Sequence, residues 1–333
     1  MSEVSSPSVA MSSQHLAHLS PFLKLTTVTT PLSPHRQVEC KTIDGTSIVG
    51  WLYMIDDGPA PAIIMSHGFN CVKEMALPDV AKAFHERGYN VFLYDARSVG
   101  ASGGSPRNLL DPLQLAEDVS DIYTFVSELK SVDSRRIFLW GLSFGATVSA
   151  CSAAVDRRPK AVVMVCPLFS YVQPHKADKA YALLIKDRVS QLRKNEPLSI
   201  APFTPQGDNL IGMGGAGGPG GIEAYNLMKG ASELGHPDFR DRVTLQTYQK
   251  LAMFRPMEYM NMIKVPVMMI IPELDDLSPV SEQREALSRV QSPKREYFAK
   301  GKGHLNVVTG DGSTEMVAAT VDFLRAVLEG TLE

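Results

Sequence analysis

From about residue 37 onward, apolar and polar positions alternate between two rhythms. Short, continuous apolar runs recur at AIIMSHG (62–68), NVFLYDA (90–96), RIFLWGLS (136–143), AVVMVCP (161–167), PVMMIIP (266–272) and REYFAK (295–300). Runs of this kind, bounded by turn formers, predict strands buried on both faces. Between them the spacing becomes helical over 78–87 and 113–129, and again over 144–155 after Ser143. Strands separated by helices predict an α/β domain with a mostly parallel, doubly wound sheet.

The segment QVECKTI, then Asp44-Gly45, then SIVGWLYM predicts a β-hairpin with a tight Asp-Gly turn, adding antiparallel strands at one sheet edge. Ahead of it, residues 1–35 are rich in Ser, Pro and Thr and predict a loose arm with one short helix over Gln14–Leu19. The folded domain is therefore expected over 36–333. Between Pro167 and Pro266, roughly a hundred residues pass without a core strand. Helical patches lie at Asp178–Arg193, Gly221–Leu234 and Thr244–Phe254, with the loop GMGGAGGPGG at 212–221. A structureless loop of that length does not suit a compact domain. A helical cap insertion at about 170–255, lying over the sheet as a lid, is the expectation. The glycine run lacks a following Gly-Lys-Ser/Thr and a preceding strand, so it is a hinge or linker and not a phosphate cradle.

Gly141-Leu142-Ser143-Phe144-Gly145 stands between an apolar strand and a small-residue helix. This is the strand–turn–helix context of a nucleophile elbow, which exposes a serine hydroxyl on a strained turn. Serine needs a base. In this arrangement the chain order is serine, acid, histidine, and of the eight histidines only His304 lies beyond the last core strands. The acid should follow PVMMIIP, where Glu273, Asp275 and Asp276 compete. Asp275, four residues before Pro279, is favoured. The main-chain N–H groups of Phe69 and Phe144 are the expected oxyanion donors, with His67 shaping the loop that carries Phe69.

Other features point to structure. The stretch Asp95–Gly104 suggests a buried Asp–Arg pair bracing a loop. Met213, Met228, Met253, Met257, Met260 and Met262 fall in or near the insertion and suggest an adaptable pocket for a long acyl chain. Cys40, Cys71, Cys151 and Cys166 have no CxxC spacing and are expected as free, buried thiols. With 33 Lys+Arg against 36 Asp+Glu, the formal charge of −3 leaves no basic footprint for nucleic acid. No apolar run is long enough to span a membrane, and no secretion signal is evident at the N-terminus. A cytoplasmic enzyme with no cofactor or metal is expected.

MSHGFNCVKE, YDARSVGASGG, LWGLSFGA, PELDDLSP and GKGH together resemble the α/β-hydrolase superfamily across 40–330. More narrowly, the chain resembles the fungal polyketide transferases and thiohydrolases of biosynthetic gene clusters, which are similar to YcjY-type bacterial hydrolases. That resemblance implies acyl transfer from a thioester or ester to an alcohol or water. It also implies a polyketide acyl substrate and an acyl carrier protein as partner. Arg157, Arg158 and Lys160 form the one compact basic group near the sheet; they are read as a solvated helix end, with carrier docking there as the alternative. Pro272 departs from the glycine usual at the head of the acid loop. Three readings stay open beside this one: a non-catalytic binding protein on the same fold, a lyase or cyclase using the same triad, and a peptidase.

Overall fold

The computed structural model describes residues 35–214, 217–235 and 238–332. The expected helix over Gln14–Leu19 and most of the arm lie outside the described residues. His35, assigned to the arm by composition, instead opens the first strand, its ring stacked on Trp51 at 4.2 Å between centroids.

The chain begins with β1 (His35–Lys41), β2 (Ser47–Tyr53) and β3 (Ala60–Ser66), followed by α1 (Pro78–His85), β4 (Asn90–Tyr94) and α2 (Pro112–Ser127). Next come β5 (Val132–Leu142), α3 (Phe144–Val155) and β6 (Val162–Val165). The chain then leaves the sheet through α4 (Ala177–Leu192), β7 (Ser199–Ile200), α5 (Pro219–Glu233), β8 (Val243–Thr244) and α6 (Leu245–Met253). It returns with β9 (Val267–Pro272), α7 (Val280–Arg289), β10 (Lys294–Ala299) and α8 (Asp311–Glu329). Among the described residues, eight strands form one sheet in the order β1-β2-β4-β3-β5-β6-β9-β10, while β7 and β8 pair separately. The pairs β1–β2 and β2–β4 are antiparallel, and every other pair in the large sheet is parallel.

The continuous apolar runs are explained by cover on both faces. Along β3 and β5, Ile63, Met65, Phe138 and Trp140 join one apolar layer with Phe84 of α1 and Phe323 of α8. Their neighbours Ala62, Ile64, Ile137 and Leu139 join the other layer with Ile122 of α2 and Ala150 of α3. A period-2 strand placed between two helical layers has no solvent side, so polar alternation disappears. Local chemistry sets the helix ends: Asp111 caps α2 by accepting from the N–H of Leu113 at 3.3 Å, ahead of Pro112 at the first helical position.

The hairpin turn is longer than the two-residue turn expected. Ile43–Gly45 form a three-residue loop in which Gly45 N–H donates to Thr42 O at 2.8 Å and Gly45 takes φ +81°. A turn closed by a left-handed glycine is the next commonest hairpin solution.

The expected Asp–Arg pair in 95–104 does not form. Asp95 is fully buried and accepts from Lys73 Nζ at 2.9 Å, from Lys73 N–H at 2.7 Å and from Ala101 N–H at 2.8 Å. Arg97 turns outward instead, to Asp118 at 2.6 Å and Asp44 at 2.7 Å. Gly100, at φ +54°, leaves room for the Asp95 carboxylate, which a Cβ there would meet at 2.2 Å. Sequence proximity favoured arginine, but the strand directs Asp95 inward, towards the loop after β3.

Lys73 and Asp95 are both nearly inaccessible, so removing the ammonium strands a buried charge. Lys73→Met is expected to lower the unfolding free energy by about 3–5 kcal/mol. Urea denaturation checks this, and a loss within experimental error of zero contradicts it.

Candidate active site

The elbow is built by close packing. Ser143 takes φ +57° and ψ −118°, a region that non-glycine residues rarely occupy. A Cβ at Gly141 would sit 2.4 Å from Gly145 O, and one at Gly145 would sit 2.2 Å from His67 O. These two glycines therefore let α3 begin directly beneath the serine and against the end of β3. Every residue of α3 from Phe144 to Ala154 is buried, and their small side chains hold the helix close to the sheet. Ser143 N–H donates to Val165 O at 2.8 Å, seating the turn between β5 and β6.

Three expected residues meet here. His304 Nε2 lies 2.8 Å from Ser143 Oγ. Its Nδ1 lies 2.9 Å from both carboxylate oxygens of Asp275. The acid loop sorts the competing carboxylates. Asp275 Oδ1 also accepts from the N–H groups of Leu277 at 3.0 Å and Ser278 at 2.8 Å, and Oδ2 from Gln283 Nε2 at 3.3 Å. Asp276 points away and accepts from Gly220 N–H at 2.9 Å in the first turn of α5. Glu273 accepts from Gly301 N–H at 2.8 Å on the surface. Pro272 is accommodated as the last residue of β9, level with Ala299 of β10.

Phe69 and Phe144 flank the serine, their rings packed edge to face at 5.4 Å. A Cβ at Gly68 would lie 3.9 Å from Ser143 Cβ, so the loop after β3 passes close over the hydroxyl. Neither the Phe69 nor the Phe144 main-chain N–H donates to a protein acceptor among the described residues. Asn70, at φ +56°, holds this loop: its Nδ2 donates to Arg240 O at 2.9 Å and its Oδ1 accepts from Asn108 Nδ2 at 2.7 Å. Asn70 and Asn108 were not singled out from the sequence. Their partners lie far along the chain, and no local pattern marks them.

Cys166 was read only as a buried thiol. It occupies φ +40° just after β6, with Sγ 3.3 Å from His304 O and 4.0 Å from His304 Nε2. Burial pushes its own pKa up. Cys166, Asp275 and His304 bring three possible metal-ligating atoms within 4.8 Å of one another. Both imidazole nitrogens already face Asp275 and Ser143, however, which leaves no open direction for an ion.

The two buried histidines are tuned oppositely. Burial works against the charge on His304; the Cys166 sulfur would favour it only as a thiolate, and the Asp275 carboxylate favours it directly, so that its pKa stands well above the ordinary imidazole value. No carboxylate bonds the His67 ring. Burial lowers its pKa to about 4, although the Met75 carbonyl and the Asp95 carboxylate oppose the shift. Its Nδ1 accepts from Gly68 N–H at 2.8 Å and its Nε2 lies 2.5 Å from Met75 O, so the neutral Nε2–H tautomer fits. His67 thus braces the Phe69 loop.

A cleft with about 840 Å³ of empty space, part of it open to solvent, leads to Ser143 and His304. Its walls are apolar, with Phe69, Leu142 and Leu168 from the sheet side. Leu227 and Met228 of α5 and Tyr248 of α6 close it from the insertion. Met213 lines it too, but the other methionines do not: Met260 belongs to the core, and Met253 is 73% exposed. The helical period of that segment sends successive methionines to different sides.

With this geometry in view, the likeness to known proteins is specific. Residues 57–214 match the family model described as serine aminopeptidase, S33. The chain is 41% identical to a thiohydrolase of Eupenicillium brefeldianum, over 84% of this chain and 90% of that one. It is 37% identical to the polyketide transferase af380 of Aspergillus fumigatus, over 88% of this chain and 98% of that one. The crystal structure of the α/β-hydrolase GrgF from a Penicillium species superposes with a TM-score of 0.78 at 35% identity, covering 88% of this chain and 98% of that one. The chain belongs to the α/β-hydrolase family of enzymes. DcsB, solved with a substrate analogue, superposes on this hydrolase with a TM-score of 0.83 at 56% identity, covering 87% of this chain and 98% of that one. Among the hydrolase's described residues, no helix is long and apolar enough to cross a membrane.

The opposite tuning of the histidines is open to nitrogen-15 NMR. His67 is expected to stay uncharged down to about pH 4, and His304 to hold its second proton well above 6.5. Indistinguishable titrations would contradict the assigned environments.

Proposed function

We propose that this enzyme transfers acyl groups from a thioester or ester through an acyl-Ser143 intermediate, with a polyketide-derived acyl group as substrate. The contact that carries the reading is the 2.8 Å approach of His304 Nε2 to Ser143 Oγ, with Asp275 against Nδ1. In the first half-reaction His304 takes the proton of Oγ as Oγ bonds the acyl carbon. The oxyanion is held by the N–H groups of Phe69 and Phe144. The carbon–sulfur (or carbon–oxygen) bond then breaks, and the proton passes from His304 to the leaving thiol or alcohol. In the second half-reaction the same imidazole deprotonates water or an alcohol as it attacks the acyl carbon; the bond from carbon to Oγ then breaks, and His304 returns the proton to Oγ. Asp275 keeps the proton of His304 on Nδ1 and stabilises the imidazolium in both halves.

The apolar cleft supports a long acyl body in preference to a charged one. Relatives named thiohydrolase and polyketide transferase support the thioester and the polyketide class. A peptidase reading, suggested by the family model's description, lacks support in the cleft. No Asp or Glu lines it among the described residues, so nothing there pairs with a peptide's terminal ammonium. The four free, buried thiols suit a reducing, cytoplasmic setting.

Intact-mass analysis with acyl thioesters is expected to trap a covalent adduct that Ser143→Ala abolishes. A fluorophosphonate probe that fails to label the wild type, or still labels Ser143→Ala, overturns the nucleophile assignment. Asp275→Asn is expected to lower kcat by ~10⁴-fold through the wrong imidazole tautomer, while Asp276→Asn changes it far less. Equal losses would remove the distinction between the two acids.

As a base, His304 must be neutral, and its pKa is raised. Activity is therefore expected to fall as pH drops through a midpoint well above 6.5, the protonated imidazole being unable to accept the serine proton. A kcat/KM that stays flat down to pH 6.5 would overturn this role.

A further inference from the structure

The outer face of α4 has no part in the chemistry above. On a helix turning 100° per residue, Tyr181, Leu192, Ile185, Val189 and Ala182 fall within one arc of about 100°. They stay in water: Tyr181 is 41% exposed, Ile185 54%, Val189 42% and Leu192 81%. The opposite face, with Ala180, Leu184 and Asp187, is buried. Along one border of the stripe run Lys179, Lys186 and Arg193, spaced seven residues apart. None of the three has an ion-pair partner among the described residues. The other border carries Arg188, which donates to Gln249 Oε1 at 3.3 Å. Within α4, Asp178 in the first turn is the one carboxylate on this face, while Asp208 and Glu196 of the following chain line surface pockets with Lys179 and Lys186.

An apolar stripe of this kind, rimmed by charge, marks an interaction surface. The cationic borders decide what covers it. In a second copy packed face to face about a two-fold axis, one border meets either itself or the Arg188 border. Cation then faces cation in both arrangements, which disfavours self-association. A helix with an apolar centre and an acidic rim satisfies stripe and borders together. α4 also packs on α6, whose Tyr248 and Leu251 line the cleft, so the two helices lie between a partner seated here and the acyl site. Two members of the alternative basic group, Arg157 and Arg158, are held by local contacts. Arg158 pairs with Asp156 at 2.6 Å, and Arg157 donates to Met262 O at 2.6 Å.

We propose that the Tyr181–Ile185–Val189–Leu192 face of α4, with Lys179, Lys186 and Arg193, docks an acidic helix of the carrier domain that presents the acyl thioester. The identity of the partner rests on the acyl-transfer reading; the surface and its charge preference do not.

The test compares wild type with the variant Lys179→Glu/Lys186→Glu/Arg193→Glu. Binding of a decanoyl-loaded polyketide-synthase carrier domain is titrated. Turnover is measured with that domain and with decanoyl N-acetylcysteamine thioester. Charge reversal is expected to weaken carrier binding and carrier-bound kcat/KM by about tenfold or more, with small-thioester kinetics and thermal midpoint unchanged. Ile185→Ser/Leu192→Ser should weaken carrier binding without any change of charge. Unchanged carrier binding and turnover in the charge-reversed variant overturn the proposal. So does a wild type that ignores the carrier domain yet binds phosphatidylserine vesicles, or forms a dimer, through these residues. Binding and turnover are read separately. A wild type that binds the carrier but turns over neither thioester sinks the acyl reading and upholds the docking surface.

Discussion

The close approach of backbone to backbone around Ser143 is the constraint on which the site depends. A non-glycine residue at φ +57° costs on the order of 1–3 kcal/mol and persists only where its surroundings over-determine it. Here they do, through a completely buried α3, the hydrogen bond from Ser143 N–H to Val165 O, and glycines at 141 and 145 whose missing Cβ atoms would strike main chain. The sheet therefore sets where the hydroxyl stands. The flanking loops then bring the His304 imidazole and the Phe69 segment to that fixed point.

Charge is distributed on the same logic of burial. His304 and His67 are both sequestered in the described structure, and they differ in what faces them. One has a carboxylate, itself held by two main-chain N–H groups, and is biased towards the cation. The other faces a carbonyl oxygen and remains neutral. Burial alone lowers an imidazole pKa; a buried carboxylate reverses the sign.

The insertion is tied to the proposed chemistry at two points. Asp276, next to the residue that holds His304, accepts a hydrogen bond from the start of α5. Asn70 and Asn108, in loops after β3 and β4, bond each other and reach Arg240 O in the insertion. The lid helices thus close an apolar cleft while anchored to the loops that carry Asp275 and Phe69. In such a cleft, water competes poorly for an acyl group, which suits the proposed transfer more than hydrolysis.

The alternation of apolar runs and helical spacing was enough to place the strands of the parallel sheet, the helical insertion and the elbow around Ser143. Each of these rests on short-range periodicity or on a turn whose sterics are local. Chain order singled out His304, and loop spacing favoured Asp275 over its neighbours, because the connections of this sheet run in a fixed sequence. What sequence left undecided depends on partners distant along the chain. Asp95 chose Lys73 over Arg97, Asn70 met Asn108, Cys166 came to rest against His304, and only Met213 and Met228 of six methionines reached the cleft. Side-chain direction at the sheet edge and the packing of the insertion set those contacts, and no local pattern encodes either.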